Sequence, residues 1–258
     1  MQFSDLKRLL TRSFPEFKTY LLDEIDSTNR FLKTKFNAKL PVRSVCITQH
    51  QTAGYGQQQR AWESDNESWT FSFCLPIQLP IQRCAGLSSV IGLAIIEALS
   101  KQNQQGLLIK WPNDIWNTDG KVAGILIESV KIEKNKTWMV FGIGMNISYQ
   151  KTKWLPAGKD YPFSSIQLCK RSEELVFISI LENIFDYIQN FESNGFQYFM
   201  ESFKKLDKFK DGQSVIVYDS GTPIKGVYRG VNMRGEVEIE LGGNIKTYCS
   251  GSVSIRPN

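Results

Sequence analysis

The run Lys110-Trp111-Pro112-Asn113-Asp114, followed closely by Gly120-Lys121-Val122-Ala123-Gly124, sets two cations and a carboxylate beside apolar segments. Pro112 breaks strand pairing, so Asn113 and Asp114 are turned into space at a strand end, where polar groups stand next to an apolar sheet. Lys121 precedes an almost wholly apolar stretch, so its amine either reaches into a pocket or bends back to water as a rim lysine. Ala123 and Gly124, and again Gly142 and Gly144, leave an opening in which something can lie close to backbone. That opening is either the floor of a ligand groove or a seat for tight helix-on-sheet packing. The net charge of +5 suits anionic substrates, and it is spread along the chain without a basic run of the kind that marks nucleic-acid binding.

Other candidates are weaker. The loop TAGYGQQQRAW has two glycines and Arg60, but it lacks both the Gly-Lys-Ser/Thr of a P-loop and the third glycine of a dinucleotide turn. Ser27-Thr28-Asn29 reads most simply as a helix cap, with small-ligand binding as the second reading. His50 is the only histidine, which rules out His-rich metal sites and makes a Ser-His-Asp triad improbable. Cys46, Cys74, Cys84, Cys169 and Cys249 are scattered and form no Cys-x-x-Cys pair, so they read as reduced, mostly buried thiols.

These groups need a scaffold, and the chain spells one out. TYLLDEI reads as a strand leading into a helix capped by Asp26 or Ser27; VRSVCITQ and WTFSFCLPI read as strands on either side of a long polar loop. GLSSVIGLAIIEALSK has the spacing of a core helix. From 107 to 147 the pattern predicts three strands, apolar on both faces and hence central, joined by an Asp-Gly turn and a charged turn. Residues 172 to 206 predict two helical stretches, with Phe177, Leu181, Ile184, Phe185 and Ile188 in one stripe packed on a face of the sheet. From about residue 208 the period changes to five short strands with Gly-rich turns, the pattern of a small barrel. No apolar run approaches the ~20 residues of a membrane span, and MQFSDLKRLLTRSF lacks the features of a signal peptide, so the expected compartment is the cytoplasm.

Read in order, five segments resemble the biotin protein ligase family: I-D-S-T-N at 25–29, Q-x-A-G-x-G at 51–56 with Arg60 and Trp62, K-W-P-N-D at 110–114, G-K-V-A-G-I-L-I-E at 120–128 and G-I-G-M-N at 142–146. The resemblance implies an α+β fold: a mixed-sheet ligase core of the class II synthetase-like type over residues 1–207, followed by a small SH3-like β-barrel over 208–258. It implies that ATP, as its Mg2+ complex, activates biotin to biotinyl-5'-adenylate, and that biotin then passes to a lysine of the biotin carboxyl carrier domain of a carboxylase. By position, Ser27, Thr28, Gln51, Gly54, Tyr55, Lys121, Gly124 and Gly144 fall to biotin. Lys110, Asn113, Arg60, Trp62 and Asn146 fall to the nucleotide, and Lys121, Lys110, Asp114 and Arg60 to catalysis. No tightly bound cofactor is expected, no resident metal site is assigned, and the assembly is a monomer or a homodimer.

Two departures from the family pattern matter. Only about nineteen residues precede the first ligase strand, too few for the winged helix-turn-helix of some family members, so DNA binding is expected to be weak, salt-sensitive and indifferent to sequence. In the loop, Tyr55 and Gln57 stand where the family pattern has arginine, and Gln59 where it has glycine. The loop is therefore expected to close less firmly over the adenylate. Two other readings compete with this one: a lipoate or octanoate transferring enzyme, whose flexible acyl substrate has no use for ureido-matching donors, and a catalytically weakened biotin-binding protein.

Overall fold

The computed structural model describes residues 1–38, 42–63, 68–148, 153–154, 161–168, 173–219 and 222–258. Helix α1 (Phe3–Ser13) comes first, and Leu6 and Leu10, one turn apart on one face, are buried; the helix packs against the later helix Glu173–Asn194. It was not expected from the sequence. Strand β1 (Lys18–Ile25) then leads into α2 (Thr28–Ala38) and back to a parallel β2 (Ser44–Gln51). β3 (Ser68–Ile77), the core helix α3 (Leu87–Ser100), β4 (Leu108–Lys110), β5 (Asp114–Trp116), β6 (Lys121–Ile132) and β7 (Thr137–Ser148) follow. Short pieces β8 (Lys153–Trp154), β9 (Phe163–Ser164) and β10 (Ile166–Gln167) edge the sheet before α4 (Glu173–Asn194) and α5 (Met200–Leu206).

The main sheet runs β1-β2-β3-β7-β6-β5-β4, parallel between β1 and β2 and antiparallel along the rest, so it is mixed as expected. One expectation is corrected: Leu107 to Trp116 is not a single strand but a tight hairpin. β4 and β5 pair with Lys110 opposite Asp114, and β4 lies at the sheet's end rather than its centre. Pro112 has no N–H to give a ladder, and the chain reverses there.

Each face of a strand carries alternate residues, and here the two faces differ in chemistry. One face is aromatic and aliphatic: Phe71 meets Phe177 of α4 at 4.8 Å between ring centres, and Phe73 stacks on Phe141 at 4.7 Å. The other face carries Thr70, Gly144 and Gly124 in one row across β3, β7 and β6, and Ser72, Gly142 and Leu126 in the next. That is where the cleft forms. Beyond these rows, Cys46, Cys74, Leu32, Trp138 and Val140 make a second small core under α2. Burial pushes the thiols of Cys46 and Cys74 up to about 12, so they stay protonated. Among the described residues four cysteines are free; Cys169 lies outside them.

β11 (Ser214–Asp219), β12 (Thr222–Val231), β13 (Val237–Leu241), β14 (Asn244–Tyr248) and β15 (Val253–Pro257) form an antiparallel sheet in the order β14-β13-β12-β11-β15, as a small SH3-like barrel requires. It is keyed to the main sheet at several points. Lys208 N–H donates to the Ile109 carbonyl (2.8 Å), Trp111 Nε1 donates to the Gly235 carbonyl (3.0 Å), and the buried Asp207 accepts from Tyr228 Oη (2.6 Å). Gly86 and Gly235, both at positive φ, touch backbone to backbone; a Cβ on Gly235 would fall 2.4 Å from Gly86 Cα. No helix among the described residues is long and apolar enough to cross a membrane.

Candidate active site

The cleft lies between the polar face of the main sheet, the β2–β3 loop, the β4–β5 hairpin and β15 of the small barrel. At its centre Lys121 Nζ pairs with Asp114 Oδ1 at 2.7 Å, with only 12% and 13% of the two side chains exposed. Lys121 takes the pocket, not the water. The hairpin that presents Asp114 is held from both sides: Ser88 and Ser89 of α3 each donate to the Pro112 carbonyl at 2.9 Å. Asn113 Nδ2 donates to the Ile125 carbonyl (2.8 Å), and Ile125 N–H returns to the Asn113 carbonyl (2.9 Å).

Lys110 stands across the hairpin from Asp114. Burial lowers its pKa to about 8; Asp114 acts against that shift, while Lys121, Arg256 and Lys208 reinforce it by repulsion. A site that gathers cations with a single carboxylate among them is built for an anion carrying more than one charge. Among the described residues no group of three or more His, Cys, Asp or Glu is gathered so as to hold a metal ion.

The glycine rows are not bare floor: Gly144 and Gly124 lie under a loop side chain, and Gly142 lies under the first turn of α2. The indole of Trp62 lies on the first two: a Cβ on Gly144 would fall 2.2 Å from Trp62 Cε2, and one on Gly124 would fall 3.1 Å from Trp62 Cζ3. Lys121 Nζ sits 5.5 Å from the centre of the same ring, a cation–π distance, and Trp62 Nε1 is buried without a hydrogen-bond partner. Gly142 makes room for Asn29, whose Oδ1 would lie 2.3 Å from an added Cβ.

The loop between β2 and β3 folds as a small hairpin. Gly56 N–H donates to Arg60 O (2.8 Å) and Trp62 N–H to Gly54 O (3.0 Å), around a turn in which Gln58 and Gln59 adopt φ of 55° and 57°. Gln59 therefore holds a left-handed backbone where the family pattern has a glycine, a conformation that costs a side-chain-bearing residue ~1 kcal/mol or more. Gly54 must stay small because Trp62 O would be 2.6 Å from its Cβ.

Beside the loop, a buried polar chain runs under α2. Gln51 Oε1 accepts from Thr28 N–H (2.8 Å) and Thr28 Oγ1 (3.1 Å), and Ser72 Oγ sits 2.7 Å from Thr28 Oγ1 and donates to Asn29 Oδ1 at 2.6 Å. Asn29 Nδ2 passes on to Glu128 Oε2 at 2.9 Å.

Of the residues singled out in the sequence, Ser27, Thr28, Gln51, Tyr55, Arg60, Trp62, Lys110, Asn113, Asp114, Lys121, Gly124 and Gly144 all line this cleft. Gly54 lies behind the wall, in the neck of the loop. Asn146 is also outside, its Nδ2 turned to the carbonyls of Ser164 (3.0 Å) and Lys121 (3.4 Å). Sequence reasoning missed Ser72 and Glu128 beneath the loop, Trp116 and Tyr161 as an aromatic wall, and Arg256 reaching in from β15. Glu128 and Trp116 had a local signal, since each stands in or beside a motif; Ser72, Tyr161 and Arg256 had none, because only the fold brings them here.

A model of the biotin/lipoate A/B protein ligase family matches residues 21–146. The bifunctional ligase/repressor BirA of Salmonella typhimurium is 27% identical over 237 residues, which span 92% of this chain and 73% of that protein. Biotin--protein ligase 1, chloroplastic, of Arabidopsis thaliana is 30% identical over 226 residues, 83% of this chain and 58% of its own length. Among solved structures, the biotin protein ligase from Aquifex aeolicus in complex with biotin and ATP aligns with a TM-score of 0.75 at 25% identity, covering 93% of this chain and 99% of that one.

Proposed function

We propose that this chain, which belongs to the biotin/lipoate A/B protein ligase family and within it to the biotin protein ligases, works through the cleft around Lys121. It is an ATP-dependent ligase that activates biotin to biotinyl-5'-adenylate and transfers it to a lysine of a carboxylase's carrier domain. The observation that carries the reading is the largely buried Lys121–Asp114 pair, with Lys110 beside it, on the glycine-lined face of the sheet.

In the first step a biotin carboxylate oxygen attacks the α-phosphorus of ATP, and pyrophosphate leaves with the Mg2+ that arrives on the triphosphate. Two anions have to meet. The Lys121 ammonium, held by Asp114 within 2.7 Å, is a preorganised countercharge for the oxygens on which negative charge builds. Lys110 and Arg256 supply further positive charge from the two sides of the cleft. In the second step the carrier lysine amine attacks the acyl carbon, AMP leaves, and the amine loses a proton. Asp114, on the hairpin at the cleft's centre, is the carboxylate placed to take part there. Ser27, Thr28 and Gln51 present hydroxyl and amide groups that suit a ureido ring. A lipoyl or octanoyl chain offers nothing for them to bind, which disfavours that alternative.

We read the chain as a catalytic domain over 1–207 and a barrel over 208–258, cytoplasmic, a monomer or homodimer, with no sequence-specific affinity for DNA. The deciding assay is incorporation of radiolabelled biotin into a biotin carrier domain. Labelling that requires ATP supports the ligase, whereas biotin binding without labelling would favour a weakened biotin-binding protein.

The lowered pKa of Lys110 gives a pH expectation. The lysine is protonated below about 8 and neutral above it, so its help in binding the triphosphate is present at neutral pH and fades as pH rises through about 8. kcat/KM for ATP in biotin-dependent pyrophosphate exchange should decline over that interval. In Lys110→Arg, which keeps its charge, the decline should move to higher pH. A profile that is flat to about pH 9.5 in the unmodified protein would remove Lys110 from the triphosphate site.

A further inference from the structure

The β2–β3 loop begins firmly, with Thr52 N–H donating to Ile25 O and Ala53 N–H to Asp26 O, both at 2.9 Å. From Gly54 to Trp62 its backbone hydrogen bonds turn inward, closing the small hairpin on itself through the Tyr55–Ala61 bridge. Such a hairpin is stable internally but needs side chains to fix where it sits. Trp62, on Gly144, is one. Tyr55 is a second: its hydroxyl donates to Glu128 Oε2 at 2.8 Å, on β6, well away in sequence.

Glu128 is itself fixed. Its Oε1 pairs with Lys33 Nζ at 2.7 Å, and its Oε2 also accepts from Asn29 Nδ2 at 2.9 Å. Burial alone would raise its pKa, but the bonds from Lys33, Asn29 and Tyr55 outweigh burial and hold it ionised. Burial, and then the adjacent carboxylate, push the Tyr55 hydroxyl up, so it remains a donor. The Arg30 guanidinium lies 5.4 Å from the Tyr55 ring centre and is tied to Asp26 at 2.6 Å, so the ring is held from its face as well as its edge. A hydrogen bond from a neutral phenol to a partly buried carboxylate belongs to the stronger class.

We infer that Tyr55 and Glu128 are positioning residues of this ligase. Their hydrogen bond docks the β2–β3 hairpin on β6, does the holding that this loop does not get from the arginines it lacks, and thereby fixes Trp62 and Arg60 over the cleft. The inference rests on the cleft being the biotin ligase site only for its catalytic consequence; the docking itself is a property of the unliganded protein.

The test is a double-mutant cycle, Tyr55→Phe, Glu128→Ala and both together, read first by amide hydrogen exchange of the segment 53–62 in the ligand-free full chain. Each single variant should exchange there about tenfold faster, and the double no faster than either, because one bond is being removed twice. In the same variants the escape of preformed biotinyl-adenylate should rise several-fold and KM for biotin should rise more than kcat falls, a split that general destabilisation does not produce. Thermal unfolding controls for loss of fold in Glu128→Ala. Unchanged exchange in Tyr55→Phe, or fully additive effects, would overturn the docking. Absence of biotin-dependent pyrophosphate exchange in the unmodified protein would instead overturn the ligase reading and leave the docking result standing.

Discussion

Replacing Lys121 by alanine should lower the rate of adenylate formation by about 10² to 10³, the usual effect of losing one preorganised charge-stabilising group from a water-poor site. The geometry makes the prediction specific. Lys121 Nζ is 2.7 Å from Asp114 and 5.5 Å from the Trp62 ring, so it is fixed on one side by a carboxylate and on another by an aromatic face. The energy of fixing it is met in folding rather than at the moment of reaction. Removing the ammonium also leaves the Asp114 carboxylate, only 13% exposed, without its partner, and that lost pairing is itself destabilising. Catalytic and structural effects therefore have to be separated. The double variant Lys121→Ala, Asp114→Asn removes the orphaned charge and should recover part of the lost melting temperature without recovering pyrophosphate exchange. Biotin should still bind to Lys121→Ala. Exchange within a few-fold of the unmodified protein would show that the ammonium does not face the forming anhydride.

The same cleft shows what the sequence discloses and what it withholds. The glycines of β6 and β7 were legible because a glycine on a central strand weakens the strand unless something needs the space. What needs it was only partly legible: the sequence offered a ligand or a packed helix, and the structure puts Asn29, from the first turn of α2, against Gly142, but the loop residue Trp62 on Gly144. Lys121 and Asp114 could each be suspected, but their 2.7 Å pairing depends on β5 lying beside β6, which no local pattern states. Ser72 sits among Phe71, Phe73 and Leu75 and reads as a tolerated polar residue in a buried strand. Only the register with β7, Ser72 beside Gly142, brings it under the N-terminus of α2. Helix α1 did have a signal, Leu6 and Leu10 one turn apart with Phe14 beyond, but so short an apolar stripe does not state which element covers it. Arg256 marks the limit, since its place in the cleft follows from the docking of the barrel through Trp111, Gly86 and Gly235.

Gly144→Val should leave the fold intact yet lower kcat/KM for biotin by about 10², the loss expected when reacting groups are misplaced by an ångström or so. A Cβ at this position would lie 2.2, 2.4 and 2.6 Å from three atoms of the Trp62 indole, so the ring has to leave its seat and take the loop with it. Valine is at ease in a strand, and what blocks it is a side chain on a loop, not backbone, so the cost falls on the loop's position more than on the sheet. Gly124→Ala, whose Cβ would meet Trp62 and Lys121 at 3.1 to 3.3 Å, should be several-fold milder, because the lysine end can shift by a few tenths of an ångström. The order Gly144 before Gly124 follows from those distances alone and can be read from steady-state kinetics with biotin varied. The route of the effect can be separated by combining Gly144→Val with Trp62→Ala. If the valine acts by expelling the indole, the double variant should be little worse than Trp62→Ala; if it acts by filling the groove that the acyl chain of biotin uses, the two losses should multiply. A Gly144→Val protein with a normal melting temperature and an unchanged KM for biotin would mean that the glycine rows serve Trp62 only and that biotin lies elsewhere in the cleft.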